Sequence, residues 1–192
     1  MFIHSWKKEV FTIPNMLSLL RIALVPVYVV IYQDATKTKD YLIAGSILAL
    51  SCFTDLIDGI IARRFNMVST VGKILDPVAD KLTQFTLTWC LSMKYPAMLG
   101  VLFLLIVKES FQAIMGVVNL RKGRILSGAL MAGKICTTVL FFSLIMLVLI
   151  PNLSQTFIEF VAAVDTFFLY FAFVQYFFAY FGKNTKLQNI QD

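Results

Sequence analysis

Six apolar runs, at about residues 11–32, 40–62, 74–93, 96–119, 126–150 and 156–181, account for most of this chain. Each is near or above the ~20 residues that cross the ~30 Å hydrocarbon core of a bilayer. With 59% apolar and 15% charged residues over 192 positions, the composition is too apolar for an ordinary soluble domain. Lipid offers no water to satisfy backbone N–H and C=O groups, so runs of this length are expected to span as helices. The connections are short. The expected fold is all-α: one polytopic membrane domain over 1–192, a six-helix transmembrane bundle preceded by an interfacial segment at 1–10. That segment mixes Phe2, Ile3, Trp6 and Val10 with His4, Lys7 and Lys8, which suits the bilayer interface. It does not resemble a signal peptide, because the long run that follows carries Arg21 and lacks a small-residue cleavage site. Cys52, Cys90 and Cys136 lie inside apolar runs without metal-ligand spacing and are expected to be packing residues.

The distribution of Lys and Arg sets the expected orientation. With the N-terminus inside, Lys7, Lys8, Arg63, Arg64, Lys73, Arg121, Lys122, Arg124, Lys183 and Lys186 fall on the cytoplasmic side, against Lys37, Lys39 and Lys94 outside. This predicts an inner (cytoplasmic) membrane protein whose net charge of +6 gathers at the inner rim, where it attracts anionic lipid headgroups. There is no soluble basic domain, so nucleic acid is not an expected partner.

Within this apolar layout, four aspartates stand at the ends of two runs. Asp55 and Asp58 close the second, and Asp76 and Asp80 open the third, at the same cytoplasmic face. A carboxylate in hydrocarbon costs about 2.5–3.5 kcal/mol even on a lenient insertion scale, so four together call for compensating cations. Spacings of three and four put each pair on one helix face. Oxygen ligands without His or Cys point to Mg²⁺ or Mn²⁺, and four carboxylates suffice for two ions. Two such ions suit phosphoryl chemistry, by clamping a diphosphate and orienting an attacking hydroxyl. Gly59 opens the helix to close approach by a ligand, Ala62 keeps that face open, and Arg63 supplies a planar fork for phosphate or for a carboxylate. Gly59 and Ala62 alone suit a helix-packing face equally well. Gly72 relieves crowding where the third run begins, and Pro77 is expected in the early helical turns, where a missing N–H costs least.

The order Asp55-x2-Asp58-Gly59-x2-Ala62-Arg63-x8-Gly72-x3-Asp76-x3-Asp80 closely resembles the signature of the CDP-alcohol phosphotransferase family. Eight specified residues stand at fixed spacing across 26 positions. The resemblance implies a six-helix, homodimeric enzyme that moves a substituted phosphate from a CDP-linked donor to an alcohol and releases CMP. It implies two divalent metal ions held by Asp55, Asp58, Asp76 and Asp80, with Asp80 also the general base. Asp55, Gly59, Ala62, Arg63 and Gly72 then border the CMP and diphosphate. A base must reach the acceptor hydroxyl on the side away from the leaving CMP, and Asp80 stands one turn deeper than Asp76.

The stretch Ile13-Pro14-Asn15-Met16-Leu17-Ser18-Leu19-Leu20-Arg21 to Pro26 resembles the start of bacterial phosphatidylglycerophosphate synthases and of related cardiolipin synthases. Both use CDP-diacylglycerol. In that reading Asn15 and Arg21 line the site from the first span, Asn15 toward the donor and Arg21 toward the acceptor. Arg21, about two turns deep, is expected to find a polar partner inside the bundle, such as a signature carboxylate, or else to snorkel to the inner interface. Glycerol 3-phosphate as acceptor requires further cations, for which Lys108, Lys134, Arg121 and Arg124 are candidates, with Lys122 nearby. The alternative for Lys108 is an ion pair with a neighbouring carboxylate; Lys81 is expected to partner an aspartate.

Phosphatidylglycerophosphate synthases typically carry Ala-Arg-Glu in the fourth span and Gly-Lys-x-Lys-Thr in the fifth. This chain has Val107-Lys108-Glu109 and Gly133-Lys134-Ile135-Cys136-Thr137. The lost cation brings phosphatidylglycerol, the acceptor of cardiolipin synthases, into competition with glycerol 3-phosphate, which is the preferred expectation. A reading of another class is a divalent-cation transporter with Glu159 and Asp165 in its path. The acidic cluster sits on one face and the outer half offers little beyond Glu159, which argues against it. Asp165 otherwise suits an interior hydrogen bond or a dimer contact.

Overall fold

A computed structural model describes residues 12–64, 72–126, 130–150, 152–181 and 187–189. The interfacial segment expected at 1–10 lies outside these residues, as do Lys183 and Lys186. The described chain forms six long helices: α1 (Ile13–Gln33), α2 (Thr38–Arg64), α3 (Gly72–Lys94), α4 (Met98–Arg121), α5 (Met131–Leu149) and α6 (Gln155–Phe181). Four of them, α1, α4, α5 and α6, are long and apolar enough to cross a membrane. The two that carry the aspartates are diluted by charge, yet their 27 and 23 residues give lengths of roughly 40 and 35 Å at 1.5 Å per residue. Large side chains such as Phe103, Phe142, Phe160, Phe167 and Phe178 point outward. A surface of this kind is covered by lipid rather than water.

The chain divides into two compact units, residues 1–90 with 148–151, and residues 91–147 with 152–192. In the first, α1 and α2 pack as a hairpin. Tyr28 stacks on Tyr32 one turn later at 5.5 Å between ring centroids, and Tyr41 of α2 meets Tyr32 edge-on at 5.6 Å. The turn is fastened by Asp40, whose carboxylate accepts the backbone N–H groups of Thr36 and Lys37 at 3.0 and 2.9 Å, the reach-back half of a capping box. Within the helices, hydroxyls bond their own backbone: Thr54 donates to the Ser51 carbonyl, Thr83 to Ala79 and Thr88 to Gln84. Polar side chains are thereby satisfied without water.

Pro77 is the sixth residue of α3, beyond the four N-terminal N–H groups that lack helical partners. It stands in the second turn, among the early turns expected from sequence, and costs the helix the bond its N–H would have made to the Lys73 carbonyl.

In the second unit, α4 packs on α6. Phe111 of α4 meets Phe173 at 5.1 Å and Phe177 at 6.1 Å between centroids. Gly123 ends α4 in the left-handed region, at φ 68°, with its N–H bonded to the Leu120 carbonyl, a turn that glycine adopts without steric cost. Ser154 caps α6 by accepting the Phe157 N–H at 3.3 Å. The apolar run at 126–150 does not become helix over its whole length. Helix begins at Met131, and Arg124–Leu126 forms a short strand, β1, paired antiparallel with β2 (Leu187–Asn189). Gly123 turns the chain out of the helix, and the β-branched Ile125 within the next three residues suits an extended ribbon; the fold class remains all-α. Cys90 and Cys136 are buried, as expected of packing residues, and Cys52 lies outside the described side chains.

Candidate active site

The site grows from one face of α1. Asn15, Ser18 and Arg21 recur at intervals of three, so they share that face, and all three are buried, at 1%, 0% and 2% exposure. Such a stripe in a helix otherwise rich in Leu, Ile and Val must be met by polar partners, or each group loses its water without replacement. For Ser18 and Arg21 the partners come from α3. The Ser18 hydroxyl donates to Asp76 Oδ1, and the Arg21 guanidinium pairs with Asp80 Oδ1. Asp76 and Asp80 thus lie one turn apart on α3, each tied to α1. The Arg21 side chain is 3% exposed whereas that of Asp80 is 54% exposed, so the cation is inside and the carboxylate stands at an open edge.

Of the two expectations for Arg21, the structure favours an internal carboxylate partner over snorkelling. Ser18 joins the site although sequence reasoning assigns it no role. Its position three residues from both Asn15 and Arg21 is the signal that could have marked it. Gly72 is buried at the start of α3. Asp55, Asp58, Gly59, Ala62 and Arg63 occupy the last turns of α2, and their side chains lie outside the described residues. Asp76 and Asp80 are hard oxygen donors on one helix face, and with Asp55 and Asp58 in the same signature they make a donor set that suits Mg²⁺ or Mn²⁺.

The remaining predicted residues belong to the second unit. Lys108 is buried at 4% exposure, and its ammonium bonds Glu109 at 2.7 Å, which is the ion pair the sequence offers as its alternative role. The same ammonium lies 5.7 Å from the centre of the Tyr176 ring. Lys134, on the first turn of α5, is exposed, as are Arg121 and Arg124 at the end of α4 and in β1. Asp165 is 1% exposed and has the Ser143 side chain of α5 as its hydrogen-bonding neighbour, in line with the interior hydrogen bond expected for it, although neither carboxylate oxygen meets standard hydrogen-bond geometry. Glu159 is exposed and accepts from Gln155 at 3.0 Å.

Residues 11–181, nearly the whole chain and both units, match the CDP-alcohol phosphatidyltransferase family. The chain belongs to this family. Among its relatives, a probable phosphatidylglycerophosphate synthase of Mycobacterium tuberculosis is 30% identical over 135 residues, covering 69% of this chain and 64% of that protein. The CDP-diacylglycerol–glycerol-3-phosphate 3-phosphatidyltransferase of Pseudomonas fluorescens is 39% identical over 70 residues, 36% of this chain and 35% of that protein. A cardiolipin synthase (CMP-forming) of Streptomyces coelicolor is 40% identical over 87 residues, 42% of this chain and 40% of that protein. The matched stretches span 14% to 64% of the curated relatives' own lengths. The stripe on α1 and the aspartates of α2 and α3 fall within the family match. The transporter reading finds no support in the family or in these relatives.

Proposed function

We propose that this chain is a CDP-diacylglycerol-dependent phosphatidyltransferase that transfers the phosphatidyl group to glycerol 3-phosphate and releases CMP. The observation that carries the reading is the buried stripe Asn15–Ser18–Arg21 set against Asp76 and Asp80. A helix buries polar groups in this way when carboxylates must be held in fixed positions. Asp55, Asp58, Asp76 and Asp80 are the residues that would hold two Mg²⁺ or Mn²⁺ ions. Bound there, such ions neutralise a diphosphate and lower the charge barrier to its cleavage.

The chain's own residues do the rest. Asn15, Asp55, Gly59, Ala62, Arg63 and Gly72 border the CMP moiety. Asp80, at the open edge, takes the proton from the acceptor hydroxyl as its oxygen bonds to the phosphorus bearing the lipid, and the bond from that phosphorus to CMP breaks. Arg21 orients Asp80 for that task. In this reading Lys108 and Lys134, with Arg121, Arg124 and Arg21, receive the phosphate of the acceptor. The enzyme is a homodimer in the inner membrane with its site open to the cytoplasm, as the bias of Lys and Arg supports.

A second reading takes phosphatidylglycerol as acceptor, making cardiolipin. Two observations favour it: Lys108 is already engaged by Glu109, and buried Cys136 stands where the synthase pattern has a cation. Lys108→Gln and Lys134→Gln separate the two. With glycerol 3-phosphate as acceptor, either change raises the KM for it several-fold or more, since a charge-assisted hydrogen bond contributes about 1.5–3 kcal/mol, and leaves the KM for CDP-diacylglycerol nearly unchanged. Parent-like acceptor KM in both variants sinks the glycerophosphate reading.

A further inference from the structure

Tyr176 of α6 has no role in the proposed chemistry, yet it touches α4 and α5, the helices that carry Lys108 and Lys134. Its ring faces the Lys108 ammonium of α4 at 5.7 Å. Its hydroxyl end lies against the backbone of α5 at Gly133, the residue before Lys134. A Cβ placed on Gly133 would collide with the Tyr176 hydroxyl and sit 2.9 Å from Cε2 and 3.0 Å from Cζ, so glycine there is what admits the ring. Leu130, Ala179, Phe111 and Tyr180 pack around Tyr176 and fix it. We infer that Tyr176 is a positioning residue for acceptor recognition, holding Lys108 and the start of α5 in one arrangement.

The chemistry favours this over simple packing. An ammonium has three donors and no acceptor. Glu109 takes one at 2.7 Å, and an aromatic face attracts the cation without occupying a hydrogen bond or cancelling its charge. The ring therefore orients Lys108 without adding to the charge compensation that Glu109 already supplies, and an incoming phosphate meets a cation whose side-chain freedom is already restricted. A tyrosine serving only as filler would have no reason to place its ring over the one buried lysine among the described residues.

The inference rests on the acceptor reading above, and the experiment separates their failures. Purified parent, Tyr176→Phe, Tyr176→Leu, Gly133→Ala and Lys108→Gln enzymes are assayed for CMP release with varied glycerol 3-phosphate and varied CDP-diacylglycerol. Tyr176→Leu is expected to raise the acceptor KM about three- to ten-fold, the range of a partly desolvated cation–π contact, with donor KM and kcat within about two-fold of the parent. Tyr176→Phe keeps the ring and keeps the parent's acceptor KM. Gly133→Ala, which displaces the ring without altering it, follows Tyr176→Leu. If the parent responds to glycerol 3-phosphate and Lys108→Gln weakens that response while Tyr176→Leu and Gly133→Ala do not, the Tyr176 assignment alone is overturned. It is overturned equally if Tyr176→Leu moves acceptor and donor KM together, as general loosening of the helices would. A parent that ignores glycerol 3-phosphate overturns the acceptor reading and this assignment with it.

Discussion

Asp80→Asn is expected to lower turnover by at least two decades, the typical contribution of a general base being about 10²–10⁴-fold, while CDP-diacylglycerol binding stays close to that of the parent. The substitution is nearly isosteric. The amide would keep an oxygen that accepts from Arg21, so the buried guanidinium is not stranded, and the exposed edge occupied by Asp80 limits any cost to folding. What the amide cannot do is take a proton. Steady-state CMP release, alongside equilibrium binding of the donor, distinguishes a missing base from a lost binding site. Near-normal turnover at saturating metal would show that another group accepts the proton.

Removing divalent cations should be as severe. Dialysis against EDTA is expected to reduce CMP release to background, a loss of more than about two decades if paired ions stabilise the breaking diphosphate, and added Mg²⁺ or Mn²⁺ should restore it. Ca²⁺, larger and less demanding in its geometry, should restore little. Asp58→Asn should shift the restoration curve to higher metal concentration, since one hard ligand of the set is lost. Unchanged CMP release after exhaustive chelation, verified by elemental analysis, would leave the four aspartates without the role given to them here.

The helices are legible in the sequence because each apolar run is about as long as a bilayer is thick, and length is the strongest cue a membrane chain carries. The start of α5 is not. Leu126 extends the apolar run in the direction of β1, and hydropathy cannot distinguish an extended apolar residue from a helical one. Pro77 is legible as an early-turn proline, and it stands in the second turn of α3. At the site, the carboxylates announce themselves by their spacing and by their cost in hydrocarbon. Ser18 does not, because a lone hydroxyl in a span usually bonds its own helix, and only the three-residue rhythm with Asn15 and Arg21 marks it as turned toward Asp76. The approach of Lys108 to Tyr176 depends on tertiary contact between α4 and α6, for which neither helix carries a local signal.

Transfer from CDP-diacylglycerol to an alcohol at the site formed by these aspartates is tested most directly with the purified protein, CDP-diacylglycerol and Mg²⁺ or Mn²⁺. Glycerol 3-phosphate, phosphatidylglycerol, inositol phosphate and serine are offered one at a time, and CMP is measured together with the lipid product. Stoichiometric CMP and phosphatidylglycerophosphate are expected with glycerol 3-phosphate, and little of either with inositol phosphate or serine. Cardiolipin formed from phosphatidylglycerol alone would move the chain to the second reading. No acceptor-dependent CMP with any of the four, from protein that binds donor and metal, would contradict the transfer itself.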